Sequence, residues 1–265
     1  MRIAVCLKQV PDTTELKLDP VHNTLIREGV ESVLNPLDEF PLEAALRLRE
    51  ANGGEVVAFT MGPPQAGRVL DKAVAMGADA GVLVSDRAFA GADTWATSLT
   101  LARAIERRGP FDVVLCGKQA IDGDTAQVGP GIAAHLGWAQ ITYVTRIESA
   151  ADGLVVERML DAGKARLRVQ TPVVLTVLKE ANEPRLPSLA GRLRAFSRPH
   201  ATLGIGPLGL EPASVGLEGS PTRVARIAVP DHKRVLNRLA GPPKDQAKAL
   251  LAGLRERGVL PASGN

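Results

Sequence analysis

The feature that most narrows the fold is an alternation, sustained up to residue 138, of short apolar runs with longer segments whose apolar residues recur every three to four positions. Ile3–Leu7, Glu55–Thr60, Gly81–Ser85 and the run from Val113 to Cys116 read as buried strands. Between them lie helical patterns. The first carries Leu42, Ala45, Leu46 and Leu48, the second Val69, Leu70, Ala73, Val74 and Met76, and the third Trp95, Leu99, Ala102 and Ile105. Stops follow at Asn52-Gly-Gly54, Gly77-Ala-Asp79 and Gly109-Pro110. Strands alternating with helices of this length mean βαβ units and a parallel sheet. The expected fold class is therefore α/β, with a parallel Rossmann-like sheet. In such sheets ligands bind beyond the carboxyl ends of the strands, so the loops at 8–14, 35–38, 61–64, 86–94 and 117–129 should converge on one crevice.

One of these connections carries chemistry. The apolar run ending at Cys116 enters a polar turn built on Asp122-Gly123-Asp124, and a helical pattern follows from Pro130 to Leu136. Strand, glycine-bearing loop and helix start together aim backbone N–H groups and a positive helix end at an anion. The stretch is neither a Walker loop nor Gly-x-Gly-x-x-Gly. Two readings are open: a nucleotide-phosphate site, or a tight turn with a helix cap.

After Trp138 the pattern changes. Ile141–Ile147, Leu154–Leu160, Ala165–Gln170 and Val173–Leu178 read as short strands separated by Asp152-Gly153 and Asp161-Ala-Gly163, antiparallel hairpins added to the sheet. From Ser197 to Pro230 the chain is rich in Gly and Pro with few sustained apolar faces, which suits either disorder or an arm lying on a partner. A terminal helix shows Ala247, Leu250, Leu251 and Leu254 on one face and stops at Gly258; that stripe suits ordinary core or docking on another subunit.

Composition sets limits on function. With 265 residues, 45% of them apolar, the chain builds one large domain, alone or with an appendage. Its net charge of +3 comes from interleaved signs, and aromatics are only 3%, so neither a nucleic-acid stripe nor a base-stacking platform is present. Cys6 and Cys116 fall in apolar strand patterns and read as free thiols in a reducing compartment. The four histidines are too scattered for a metal site. No signal peptide or membrane-length span is evident, so a soluble, cytoplasmic protein is expected.

At this point the residues resemble a family. Cys116-Gly-Lys-Gln-Ala-Ile-Asp-Gly-Asp-Thr-Ala-Gln-Val-Gly-Pro130 is similar to the signature of the electron-transfer flavoprotein beta subunit. Further motifs follow the family's order: Val5-Cys-Leu-Lys-Gln-Val-Pro-Asp-Thr13, Asn35-Pro36, Met61-Gly-Pro-Pro64, Ala75-Met-Gly-Ala-Asp79, Asn182-Glu-Pro-Arg185 and Gly216-Leu-Glu-Gly-Ser-Pro-Thr222. The resemblance implies a sheet of the adenine-nucleotide alpha-hydrolase type and an αβ heterodimer whose alpha subunit carries FAD. It divides the chain into 1–196, a nucleotide-binding domain with a hairpin extension and a partner-recognition segment (182–196), and 197–265, an arm and helix docking on the alpha subunit.

The resemblance also implies a second nucleotide in this subunit, a structural AMP in most members and FAD in the bifurcating and nitrogen-fixation-associated branches. The implied contacts fall on Cys6, Asn35, Pro36, Leu37, Asp38, Met61 and the run Gly123, Asp124, Thr125, Ala126, Gln127, Val128, Gly129, Pro130, Gly131, Ile132, Ala133 and Ala134. The loop from Asp86 to Ser98 resembles the FAD branch, and Asp93, Thr94 and Thr97 offer polar partners at a helix start to a longer ligand, although Asp93 or Thr94 also suits an N-cap. FAD is the favoured cofactor and AMP the alternative. With FAD the implied function is electron bifurcation from NADH to a low-potential acceptor and the alpha flavin; no catalytic acid, base or nucleophile is assigned. The segment 182–196 matches the one with which the family recognises acyl-CoA or other flavin dehydrogenases and the quinone oxidoreductase. Leu189 falls at the apolar anchor, rimmed by Arg192 and Arg194; Leu186, Leu189 and Leu193 suit a core stripe equally well. A universal-stress-type nucleotide-binding protein is the competing class. The hairpins, Asn182-Glu-Pro-Arg185 and the arm exceed what it needs.

Overall fold

β1 (Arg2–Cys6) is buried along nearly its whole length, as a strand with neighbours on both edges and helices on both faces must be. The computed structural model describes residues 1–12, 17–18, 25–26, 32–225 and 236–261. Thr13, Thr14, the polar stretch through Asp19-Pro20 and positions 226–235 of the expected arm lie outside the described residues.

In chain order, β2 (Gln9–Pro11) pairs antiparallel with β5 (Ser32–Leu34), and β3 (Lys17–Leu18) with β4 (Leu25–Ile26). α1 (Glu39–Asn52), β6 (Glu55–Met61), α2 (Gly67–Met76), β7 (Ala80–Val84), α3 (Thr94–Arg108), β8 (Val113–Gly117) and α4 (Val128–Leu136) then complete the βα alternation. β9 (Ala139–Ala150), β10 (Gly153–Leu160), β11 (Gly163–Val169), β12 (Val173–Val177), α5 (Leu189–Ser197), β13 (Ala201–Leu203), α6 (Ile205–Leu208) and α7 (Pro243–Glu256) follow. Among the described residues the main sheet has nine strands in the order β11-β10-β9-β12-β8-β1-β6-β7-β13. Its α/β class and parallel centre are those read from the sequence.

The strand pleat sends alternate residues to opposite faces. Ile3, Val5, Val56, Ala58, Leu115 and Leu175 meet Leu42, Leu46, Leu70 and Ala73 of α1 and α2. Ala4, Cys6, Val57, Phe59, Cys116 and Val174 meet Leu101, Ile105, Ile132 and Ala133 of α3 and α4. Each of the fully buried leucines and isoleucines contributes about 1.5–3 kcal/mol through burial.

Two expectations are corrected. β9, β10 and β11 form the antiparallel extension, but β12 runs parallel between β8 and β9. All five of its residues are buried, so it is an apolar run covered on both faces rather than an alternating hairpin strand. The segment after Ser197 is not wholly an arm: β13 pairs with β7, and Leu208 and Val215 enter the core. Its glycine-rich composition hid this because the chain packs there in short pieces. Gly216, at φ 58°, presses so close to the Ala88 carbonyl that a Cβ would collide. The chain divides into Met1–Ala225 and Arg226–Asn265; within the second unit α7 buries no residue and leaves Leu250 and Leu251 exposed.

The segment 182–188 is tied to α1 through a buried carboxylate. Arg185 Nε donates to Glu43 Oε2 at 2.8 Å and Arg185 Nη2 to Glu50 Oε2 at 3.0 Å, while Arg47 Nε donates to Glu43 Oε1 at 2.6 Å. Burial pushes the Glu43 carboxyl up, but the hydrogen bonds from Arg185 and Arg47 outweigh it and hold it below the usual range. Arg185→Met should cost about 2 kcal/mol, because it strips one cation from a buried anion and leaves Arg47 as partial compensation. Urea unfolding at pH 7 measures this; a change under 0.5 kcal/mol would overturn the structural role.

Candidate functional site

The crevice is built where the carboxyl ends of β1, β6 and β8 open. Three connections are lashed together there. Lys8 N–H donates to Asp38 Oδ2 at 2.8 Å, and Lys8 Nζ reaches Asp122 Oδ1 at 2.7 Å. The fully buried Asn35 donates from Nδ2 to the Gln119 carbonyl at 3.0 Å and accepts from Ile121 N–H at 3.3 Å. Gln119 Nε2 pairs with Asp124 Oδ1. Pro36 opens a 3₁₀ turn, Pro36–Asp38, that delivers Asp38 under this loop. The loop ends in an uncommon conformation, with Asp124 at φ 53° and Ala126 at φ 55°.

α4 starts above these groups, and among the described residues no side chain caps it. Pro130 has no N–H and Gly131 N–H is bonded to the Gln127 carbonyl at 2.9 Å, so by helix geometry the N–H groups of Val128 and Gly129 are the first-turn donors without intrahelical acceptors, at the positive end of the helix dipole. Its close approach to the sheet and to α3 depends on glycine. A Cβ on Gly129 would lie 2.5 Å from Thr176 Cγ2, and one on Gly131 would lie 2.5 Å from Ser98 Oγ. Gly123 differs: its φ is not positive, and a Cβ there would meet only Lys8 Nζ at 4.0 Å.

The structure thus brings Cys6, Asn35, Pro36, Leu37, Asp38 and the run from Gly123 to Ala134 to one end of the sheet, and Met61 ends β6 beside them. The α3 start approaches through Ser98 against Gly131 and through Trp95, whose ring lies 4.7 Å from that of His135. Asp93 serves the chain: its carboxylate caps α3 through Ala96 N–H at 3.1 Å and accepts from Thr222 N–H and Oγ1 at 3.0 and 2.7 Å. The hydroxyls of Thr94 and Thr97 have no partner among the described residues. Lys8, Ser98 and Gln119 were not singled out by sequence reasoning. The signal available for Lys8 and Gln119 was their position inside the two quoted motifs. Among the described residues there is no group of three or more His, Cys, Asp or Glu poised for a metal, and no helix is long and apolar enough to cross a membrane.

A second feature lies on α5. Its small residues face inward, Gly191 against the Ala75 carbonyl and Ala195 with Val74 and Ala75. Its large ones face out: Leu189 is 77% exposed, Leu193 66% and Phe196 97%, and Leu186, in the segment before the helix, is 88% exposed. The core-stripe alternative for these leucines is thereby excluded. Arg192 and Arg194 are exposed on the same short helix, and Arg194 Nη2 reaches the Val74 carbonyl at 3.5 Å.

Comparison with known proteins places this fold and site in a class. Residues 22–202 match the electron transfer flavoprotein domain. The chain is 48% identical over 261 residues to the electron transfer flavoprotein subunit beta of Thermoanaerobacterium thermosaccharolyticum, covering 98% of this chain and all of the relative. It is 47% identical to the caffeyl-CoA reductase-Etf complex subunit CarD of Acetobacterium woodii, with 98% and 100% coverage. It is also 47% identical to protein FixA of Azorhizobium caulinodans, over 87% of this chain and 85% of that one. The chain belongs to the electron transfer flavoprotein beta subunit family.

The Asp38 carboxyl is pushed up to about 7 by burial, against the hydrogen bonds from Lys8 N–H and Asn35 and the Lys8 charge. A carboxyl raised from 3.8 to about 7 holds its proton more tightly in the folded chain, so its contribution favours folding below pH 4, fades as pH rises to 7 and is gone above. Relative to the unfolded chain, ionising this carboxyl costs roughly 4 kcal/mol more in the folded one. Asp38→Asn keeps an acceptor for Lys8 N–H and should unfold later than wild type at pH 8 but not at pH 4.5. Parallel pH–stability curves for the two proteins between pH 4 and 7 would refute this.

Proposed function

We propose that this chain is the beta subunit of a heterodimeric electron carrier and holds an adenine nucleotide, FAD in preference to AMP, in the crevice beneath α4. The observation that carries this reading is the first turn of α4, uncapped and seated by Gly129 and Gly131 over the ends of β8 and β12. It offers backbone donors and a positive helix end where a phosphate would lie. Cys6, Asn35, Pro36, Leu37, Asp38 and Met61 with Gly123–Ala134 would hold the nucleotide, and the free hydroxyls of Thr94 and Thr97 suit a ligand longer than AMP. The kinship with FixA and with CarD supports FAD and electron bifurcation from NADH. When bound, FAD supplies the electron-transfer chemistry; the chain's residues bind and orient it and exclude water. Asp93 favours the second reading, a structural AMP, because its carboxylate is already committed to Ala96 and Thr222.

The alpha subunit is the obligate partner in this reading, with the part of the expected arm beyond Ala225, including α7, docking on it. The exposed face Leu186, Leu189, Leu193 and Phe196, with Arg192 and Arg194, would receive acyl-CoA or other flavin dehydrogenases or the quinone oxidoreductase, and Leu189 is the anchor. Leu189→Glu should leave Tm within about 2 °C and slow electron exchange with such a dehydrogenase by about tenfold. A large fall in Tm instead would mean the leucine is structural.

Co-expression with the alpha partner, followed by denaturation and counting of released nucleotides, tests the cofactor. Two FAD and no AMP per heterodimer is expected; one of each establishes the AMP reading, and no nucleotide beyond the alpha FAD removes the crevice reading. Gly123→Val has open space around it, so its Tm should stay near wild type while nucleotide retention falls at least tenfold where ligand approaches the backbone. Full retention in that variant would show that Gly123 does not line the ligand.

A further inference from the structure

α5 lies on α2, on the sheet face opposite α3 and α4, and the two helices leave a groove beside their contact. The groove encloses about 970 Å³, the size of a small-molecule site, and is lined by Met76 of α2, Leu186 before α5, and Arg192 and Phe196 of α5. Leu189 and Leu193 do not line it, so it is distinct from the outward apolar face. Small residues explain the open space. Gly191 lies so close to the Ala75 carbonyl that a Cβ would sit 2.0 Å from its oxygen, and Ala195 is buried with Val74 and Ala75. The helices meet through backbone and methyl groups, which leave the flank of the contact unfilled.

Charge along the groove is unbalanced. Its two carboxylates are taken, Glu39 by Lys72 and Asp71 by His200, whose Nε2 lies 2.9 Å from Asp71 Oδ1. Arg185 is held by Glu43 and Glu50. Arg192 and Arg198 remain, with no carboxylate partner among the described residues, and Arg198 Nη1 donates to the Asp79 carbonyl at 3.0 Å. Beside them Phe196 stands 97% exposed. A phenylalanine left in water, an apolar floor and two guanidinium groups without counterions suit a guest with an apolar body and an anionic end.

We propose that the groove binds a small amphipathic organic anion, an aliphatic carboxylate or phosphate ester, with its apolar body against Met76 and Phe196 and its charged end on Arg192 and Arg198. Arginine serves either head group, because its planar fork pairs bidentately with carboxylate and phosphate alike. Seating the guest takes the Phe196 ring out of water and adds apolar burial that the chain alone does not provide. The site shares Leu186, Arg192 and Phe196 with the proposed docking face but not its anchor, Leu189, and it stands without the crevice reading.

Met76 is 4% exposed, so its methyl group reports the floor of the groove, whereas Met61 at the end of β6 reports the crevice. The full chain, labelled with carbon-13 at its methionine methyls, is titrated with octanoate, octyl phosphate and octanol and followed by NMR. Octanoate and octyl phosphate should shift the Met76 resonance saturably, and octanol, which carries no charge, should bind about tenfold more weakly. The tighter of the two acids identifies the head group. The Arg192 side chain makes no hydrogen bond or ion pair among the described residues, so Arg192→Met should keep its Tm while losing about fivefold in affinity for both acids. Phe196→Ala, at a position already in water, should keep its Tm and weaken all three probes alike. If octanol binds as well as the acids, if Arg192→Met binds them unchanged, or if Met61 alone responds, the proposal is overturned. It is overturned as well if no probe moves Met76 up to about 10 mM, which would leave these side chains to protein docking.

Discussion

A single buried amide holds the candidate site together. Asn35 uses its side chain on Gln119 and Ile121 in the first part of the β8–α4 loop, and its backbone N–H and carbonyl on Lys8 and Asp38. Four bonds from one residue thus join the β1 exit, the turn before α1 and the glycine-bearing loop. Losing a partner for any of these buried groups costs about 1–3 kcal/mol, so the three connections move as one body or not at all. The arrangement of these three connections is therefore set by the fold itself.

Around that floor the chain departs from its own local preferences. Asp38 is a carboxyl kept out of water, Asp124, Ala126 and Tyr143 hold positive φ without being glycine, and α4 starts without a cap. All of them gather at the carboxyl end of the sheet, while the two faces behind it are filled by ordinary aliphatic packing. Local choices that oppose stability collect where function is exercised.

Much of this was legible in the sequence, and what was not has identifiable causes. The βα alternation is a period, and periods survive in one dimension; β1, β6, β7 and β8 and the helices between them followed from it. β12 was misplaced because an all-apolar run of five residues does not reveal which strands flank it. β13 and α6 were missed because three- and four-residue elements carry no period. At the site, the glycine loop and helix start were visible, but the commitment of Asp93 was not: its partner Thr222 lies 129 residues away. On α5 spacing alone left core and surface equally open, since a helix with apolar residues at 189, 193 and 196 looks the same whichever way it faces. Gly191 and Ala195 decide it, being the side small enough to meet α2.

That inverted helix separates two burdens that most helices carry on one face. The contacts fixing α5 to the domain are made by backbone, by methyl groups and by the Arg194 guanidinium on the Val74 carbonyl, and Leu189, Leu193 and Phe196 stay exposed beside them. The outward positions are accordingly open to replacement without a penalty in folding. A lineage can thus re-tool this surface one side chain at a time, leaving the core behind α5 untouched.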